Sequence, residues 1–129
     1  MDDPNRYLPL SPHQFHILLS LSDRDRHGYA LIQDIEHRTE GAFRLGTGTL
    51  YTAIARLAEL GLIAEAGRPP GADAGRPSKK EDERRRYYKL LPLGRAVLRA
   101  ETGRLESLVR HAHDLGVRPT VAPAVGRRS

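Results

Sequence analysis

Apolar residues recur at helical spacing in four stretches of the chain and give way to strand-like composition in two short ones. In LSPHQFHILLSL, Phe15, Leu18 and Leu19, joined by Ile17, form one stripe. Ser11 and Gln14 make an S-x-x-Q capping box before it, and Pro12 suits the first helical position. HGYALIQDIEHRT places Gly28, Leu31, Ile32 and Ile35 on one face of a second helix, and Gly41 breaks the pattern. A third helix is predicted from about Thr49 to Leu60, with Leu50, Ile54, Leu57 and Leu60 inward and Gly61 where a terminating glycine belongs. LIAEA and RRRYYKLL read as strands, the second through Tyr87 and Tyr88. Between them GRPPGADAGRPSKKEDE has no period and reads as a long loop. From Pro92 the helical pattern returns through Leu93, Val97, Leu98, Leu105, Leu108, Val109, Ala112 and Leu115. Leu98, Leu105 and Ala112 are seven apart, as are Leu108 and Leu115, which suggests a two-heptad seam weakened at Thr102-Gly103.

The order is three helices, a hairpin with a long tip, and a long amphipathic helix. That layout predicts a mainly α protein with a small β-hairpin: a winged helix-turn-helix followed by a C-terminal dimerisation helix. The expected division is an arm at 1–10, the winged helix-turn-helix at 11–91 with its wing loop at 67–83, the last helix at 92–115, and a disordered tail at 116–129.

Composition narrows the function classes. The 129 residues suit one domain, and with no Cys there is no disulfide framework or thiolate zinc site. No apolar run approaches the ~20 residues of a membrane span, and the proline-broken acidic start does not read as a signal peptide. The expected setting is the cytoplasm, with no membrane partner. Residues 1–66 carry six Arg against nine acids, a balance of −3, whereas residues 67–90 carry eight basic residues against four acids, +4. A basic surplus in the wing suggests a polyanion, or else only a solvated surface.

The third helix carries the candidate chemistry. Its start, LGTGTLY, is bare and hydroxyl-rich, and a helix N-terminus offers unpaired N–H groups and a positive dipole end to a phosphate. Gly46 and Gly48 allow close approach, while Thr47, Thr49 and the Tyr51 hydroxyl add hydrogen-bond donors, with Thr52 and Arg56 on the same outer face. The plainer alternative is that Thr47 or Gly48 caps the helix and Tyr51 packs. Arg56 is the helix's one cation and Glu59 offsets it, so charge must come mainly from the wing: Arg76, Lys79 and Lys80, then Arg84, Arg85 and Arg86. Tyr29 is expected to bury its ring and hold its hydroxyl at the rim. The pairs His13/His16 and His111/His113 lack a third ligand at metal spacing, so neither a metal nor another cofactor is expected. No nucleophile elbow, P-loop, dinucleotide fingerprint or zinc-protease motif is present, which argues against an enzyme.

Taken together, HGYALIQDI, GTLYTAIARLAELGLI and RRYYKLLPLGRAVL resemble the PadR-like transcriptional regulators, in their short branch with one C-terminal helix. The resemblance covers about residues 11–100. It implies a winged-helix homodimer on inverted-repeat double-stranded DNA, usually as a repressor, joined through its last helix and released by a small molecule or other effector. By match, Tyr29, Thr49, Tyr51 and the wing arginines face DNA, and Leu50, Leu57, Leu60 and Leu62 are core. Thr47 and Thr52 stand where relatives often carry proline, and Leu91 where a capping Thr is usual. With no Trp in the chain, no effector carries over. The expected dimer seam is Leu98, Leu105, Leu108, Ala112 and Leu115. The competing reading is a winged-helix adaptor that sets its basic wing on an acidic protein.

Overall fold

The computed structural model describes residues 2–67 and 86–120. A short 3-10 turn (Pro4–Tyr7) leads into α1 (Pro12–Asp23), β1 (Arg26–His27), α2 (Gly28–Arg38), α3 (Thr47–Glu59), β2 (Ile63–Ala66), β3 (Tyr87–Leu90) and α4 (Pro92–Asp114). The capping box forms as expected: Gln14 N–H donates to Ser11 Oγ at 3.1 Å and Ser11 N–H to Gln14 Oε1 at 3.1 Å.

Helix α1 is the central element, packed against α2, α3, α4 and β3. Its buried residues are Ile17, Leu18, Ser20 and Leu21, while Phe15 and Leu19 lie at the edge of the core. Leu31 and Ile35 of α2, Leu50, Ile54 and Leu57 of α3, and Val97 and Leu98 of α4 close around it. The stripes read from helical spacing therefore converge on a single apolar centre.

The wing is broader than a hairpin. β2 pairs antiparallel with β3 from Ile63 opposite Leu90 to Ala66 opposite Tyr87. A third strand, β1, pairs on the other side of β3, with Arg26 opposite Tyr88 and His27 opposite Tyr87. His27 does two jobs there: its ring meets Tyr87 edge-on at 5.2 Å, and its Nδ1 accepts the Ala30 N–H at 3.1 Å as the cap of α2.

Helix α3 stops where Gly61 predicts. Gly61 takes φ +80°, and the N–H groups of Gly61 and Leu62 close back onto the carbonyls of Ala58 and Leu57, each at 3.0 Å. The chain then turns so that the Leu62 carbonyl accepts the Leu91 N–H at 3.0 Å. Gly94 passes over the same carbonyl, so close that a β-carbon there would collide with it. These contacts fix α4 against the base of the wing, although Leu91 supplies no side-chain cap. Helix α4 runs unbroken through Thr102 and Gly103, and Thr102 Oγ1 donates to the Leu98 carbonyl at 2.9 Å.

Two polar clusters lock the helices together. Asp34 of α2 accepts from Ser20 at 2.5 Å and Arg38 at 2.9 Å, and faces Arg26 at 3.5 Å. Burial pushes the Asp34 carboxyl up, but those hydrogen bonds and the two guanidinium charges outweigh it and hold its pKa below the usual value. On α4, Glu101 is buried and takes both Nε and Nη2 of Arg104, at 2.5 and 3.0 Å. It also accepts the Leu10 N–H at 3.0 Å, which ties the N-terminal arm to the last helix.

Candidate nucleic-acid interface

Leu45 and Leu50 are buried, and the four residues between them, Gly46 to Thr49, are exposed. Two apolar anchors thus hold a solvent-facing helix start. The helix begins at Thr47, two residues earlier than its spacing suggests, and its N-cap is Gly46 with no side-chain hydrogen bond. Neither Thr47 nor Gly48 caps it. The first-turn N–H groups are consequently not answered by a capping side chain, and the positive end of the helix dipole faces outward. A β-carbon on Gly46 or Gly48 would meet nothing within 4 Å among the described residues, so packing among them does not call for glycine at either place.

Thr52 and Arg56 continue the exposed face of α3, as read from the sequence. Arg56 is 60% exposed and meets Glu59 at 3.0 Å. Tyr51 behaves otherwise. It is half-buried against the core cluster, with its hydroxyl over Gly28 at the start of α2. Its ring packs, and its polar end lies at the α2–α3 junction. Nearby, burial and then the proximity of Tyr51 push the buried Tyr88 hydroxyl pKa up. Tyr29 corrects the expectation of a buried ring: it is 62% exposed, one residue beyond the Gly28–Tyr51 contact.

The packing of α1 on α3 brings in residues that sequence reasoning assigned elsewhere. Ser11, His13 and Gln14 from the start of α1 face Gly48, Thr49, Thr52, Ala53 and Arg56 across an open groove of about 510 Å³. The capping box marked this end of α1 as a helix start. Its place beside the start of α3 is a tertiary fact with no local signal.

In the wing, Arg86 is exposed and lies 3.8 Å from Glu65 of the neighbouring strand. Arg76, Lys79, Lys80, Arg84 and Arg85, and nearly all of the loop expected at 67–83, lie outside the described residues. So does the part of the expected tail beyond residue 120.

Along α4 the expected dimer seam divides. Leu98 is only 6% exposed and belongs to the core of its own chain, so it is not a seam residue. Leu105, Leu108 and Leu115 are exposed, as is Val109, and Ala112 is half-exposed. Beside them Phe15, Thr102, Leu105, Glu106 and Val109 line a mainly apolar groove. Among the described residues no cluster of three His, Asp or Glu is placed to hold a metal ion, and no helix is long and apolar enough to cross a membrane.

The model of the transcriptional regulator PadR-like family matches residues 17–100. An uncharacterised protein of Lysinibacillus sphaericus is 34% identical over 82 residues, 64% of this chain and 67% of that one. The transcriptional regulator Rv3488 of Mycobacterium tuberculosis is 32% identical over 97 residues, 75% of this chain and 78% of its own. The fold is similar to that of a PadR family transcription regulator from Clostridium difficile, with a TM-score of 0.65 at 22% identity, over 81% of this chain and 98% of that one.

Proposed function

The chain belongs to the PadR-like family of transcriptional regulators, and we propose that it represses transcription as a homodimer bound to an inverted-repeat operator. The observation that carries this reading is the start of α3. Its first turn is exposed, its N-cap Gly46 offers no side-chain hydrogen bond, and it is bare at Gly46 and Gly48 although no contact among the described residues needs glycine there. Such a surface suits a close approach by a phosphate or a base edge.

The parts then divide the work. Helix α3 lies in the major groove and sets register through Thr47, Thr49 and Thr52, with Arg56 as its one cation. His13 and the start of α1 follow the adjoining backbone, and Tyr29 stands at the rim of α2. Arg86, with Lys79, Lys80, Arg84 and Arg85 of the wing, supplies most of the phosphate neutralisation. Leu105, Leu108 and Val109 of α4 meet their counterparts in a second copy, since a row of exposed apolar residues beside an apolar groove is the pattern of an unsatisfied interface. Two-fold symmetry would set the two copies of α3 about 34 Å apart, one turn of DNA.

Fluorescence anisotropy on a palindromic fragment of the gene's own promoter, at two salt concentrations, tests the reading. Tight binding that weakens steeply with salt is expected. Absence of binding, or binding indifferent to salt, overturns it.

A further inference from the structure

Two histidines of one helix have opposite surroundings. His13 and His16 stand one turn apart on α1, and both rings meet Phe43, with centroids 5.3 and 4.4 Å away. Phe43 is fixed in the turn between α2 and α3: its N–H donates to Thr39 Oγ1 at 3.2 Å, and that hydroxyl donates to the Ile35 carbonyl at 2.8 Å. The Nδ1 of His16 is buried and has no hydrogen-bond partner among the described residues. Burial first, then the charges of Arg38 and His13, lowers the His16 pKa, so this ring is held neutral. His13 is half-buried and lines the groove that runs along Thr49, Thr52 and Arg56 of α3.

The groups around His13 decide what it can do there. Arg56 faces it across the groove from α3 and meets Glu59 at 3.0 Å. Among the described residues that line the groove none is a carboxylate. The α2–α3 turn brings the uncharged Phe43, the exposed Glu40, and Arg44, which pairs with Glu36 at 3.2 Å. At the end of α2, Arg38 is paired with Asp34 at 2.9 Å. Among the described residues no hydrogen bond or ion pair engages the His13 ring. An imidazole in water titrates near pH 6.5, and an opposite charge set beside it favours the protonated form.

We propose that His13 is a proton-carrying contact of the DNA-reading groove: its charged form answers a backbone phosphate beside Arg56, and operator affinity rises as pH falls through the histidine range. This contact rests on the proposed repressor function. It gives a groove whose α3 side has Arg56 alone a second cation, supplied by α1. By linkage, binding the operator takes up a proton, and the added charge steepens the salt dependence. His16 takes no part, because its buried nitrogen cannot reach a phosphate.

The test measures the full chain on the palindromic promoter fragment by anisotropy at pH 8 and pH 6, each at two salt concentrations. Titration calorimetry at pH 7 in two buffers of different ionisation heat reads the proton uptake. From pH 8 to pH 6 the wild type should gain about fivefold more affinity than His13→Gln. Its salt slope should grow by about one phosphate contact over the same interval. His13→Gln should lose this gain and the proton uptake while keeping its melting curve at pH 8. His16→Phe should keep the wild-type affinity profile. Parallel pH profiles in the wild type and His13→Gln overturn the contact. So does zero proton uptake by the wild type, a result that needs no variant. A profile flattened by His16→Phe instead would assign the proton to the buried ring and also overturn it. Operator binding that ignores pH leaves the repressor reading standing and removes His13 from it. Absence of binding at every pH removes the repressor reading and the contact with it.

Discussion

The Tyr51 hydroxyl occupies the space that a β-carbon on Gly28 would need, and the ring carbon that bears it would lie 2.8 Å from that added atom. Helices α2 and α3 therefore meet at a point where one side must be bare. Gly28→Ala should cost about 1–3 kcal/mol from this overlap, less a few tenths regained from helix propensity. In a Tyr51→Ala background the same change should be neutral or stabilising. Urea unfolding of the four variants measures the coupling; equal costs in both backgrounds would show that Tyr51 is not the obstacle.

Gly48 is the opposite kind of glycine. It lies in the first turn of α3 with open space around it and an ordinary helical conformation. Gly48→Ala should leave stability unchanged or raise it by up to about 1 kcal/mol. If DNA approaches this turn closely, the same methyl group should weaken operator binding by tenfold or more. Thermal melting and anisotropy on one preparation separate the two effects. An unchanged affinity would mean that the glycines serve no ligand.

Much of this was legible from spacing alone, and the failures have physical causes. The inward faces of α2 and α3 and the stop at Gly61 follow from local rules, because side-chain period and a left-handed glycine are properties of the segment itself. The start of α3 was misplaced because a glycine cap leaves no side-chain signature. Leu98 fits the heptad, but a period assigns a face and not the partner that covers it; here the first turns of α4 are covered by their own chain. Two-residue β1 is too short to show alternation. The Tyr29 ring is exposed where it was expected inside, and the Tyr51 ring packs as the plainer of its two readings had it, since an aromatic at a helix boundary can turn either way until its neighbour is known. Glu101 gave no sign of burial, as one of its partners is a backbone N–H 91 residues away.

That carboxylate sets an acid limit to stability. The Arg104 hydrogen bonds lower the Glu101 pKa most; burial opposes them, and the Leu10 N–H and the Arg104 charge add to the lowering. A group whose folded pKa is depressed stabilises the fold above its unfolded value and loses that contribution as pH falls through the folded pKa. Glu101→Gln should thus cost about 1–3 kcal/mol at neutral pH and flatten the loss of stability below the ordinary carboxylate range. Asp34 retains the same acid trend in that variant. Melting curves from pH 7 to pH 3 check it, and an unchanged acid limb in the variant would count against Glu101.

His16 should act at higher pH. Its Nδ1 is buried with no hydrogen-bond partner among the described residues, and its ring lies 4.4 Å from that of Phe43. Burial lowers its pKa, and the charges of Arg38 and His13 lower it further. The unfolded chain therefore takes up this proton first. Stability falls as pH drops through the ordinary histidine value and levels off only once the folded form is protonated too. His16→Phe should remove that loss as pH falls below about 6.5, a window above that of Glu101. If wild type and variant melt in parallel across it, His16 is not the titrating group.

The apolar row on α4 makes a claim about assembly that Leu98 now sharpens. Leu105 and Leu108 are 36% and 50% exposed, so charge on them leaves the core of a single chain intact. Leu105→Glu with Leu108→Glu should give folded monomers by sedimentation, with the helical signal retained. Operator affinity should fall by 100-fold or more, because each half-site would then bind alone. Leu98→Glu should behave differently: a charge placed in the core unfolds the chain rather than separating two copies. If the double variant remains a dimer, the copies meet somewhere other than this row.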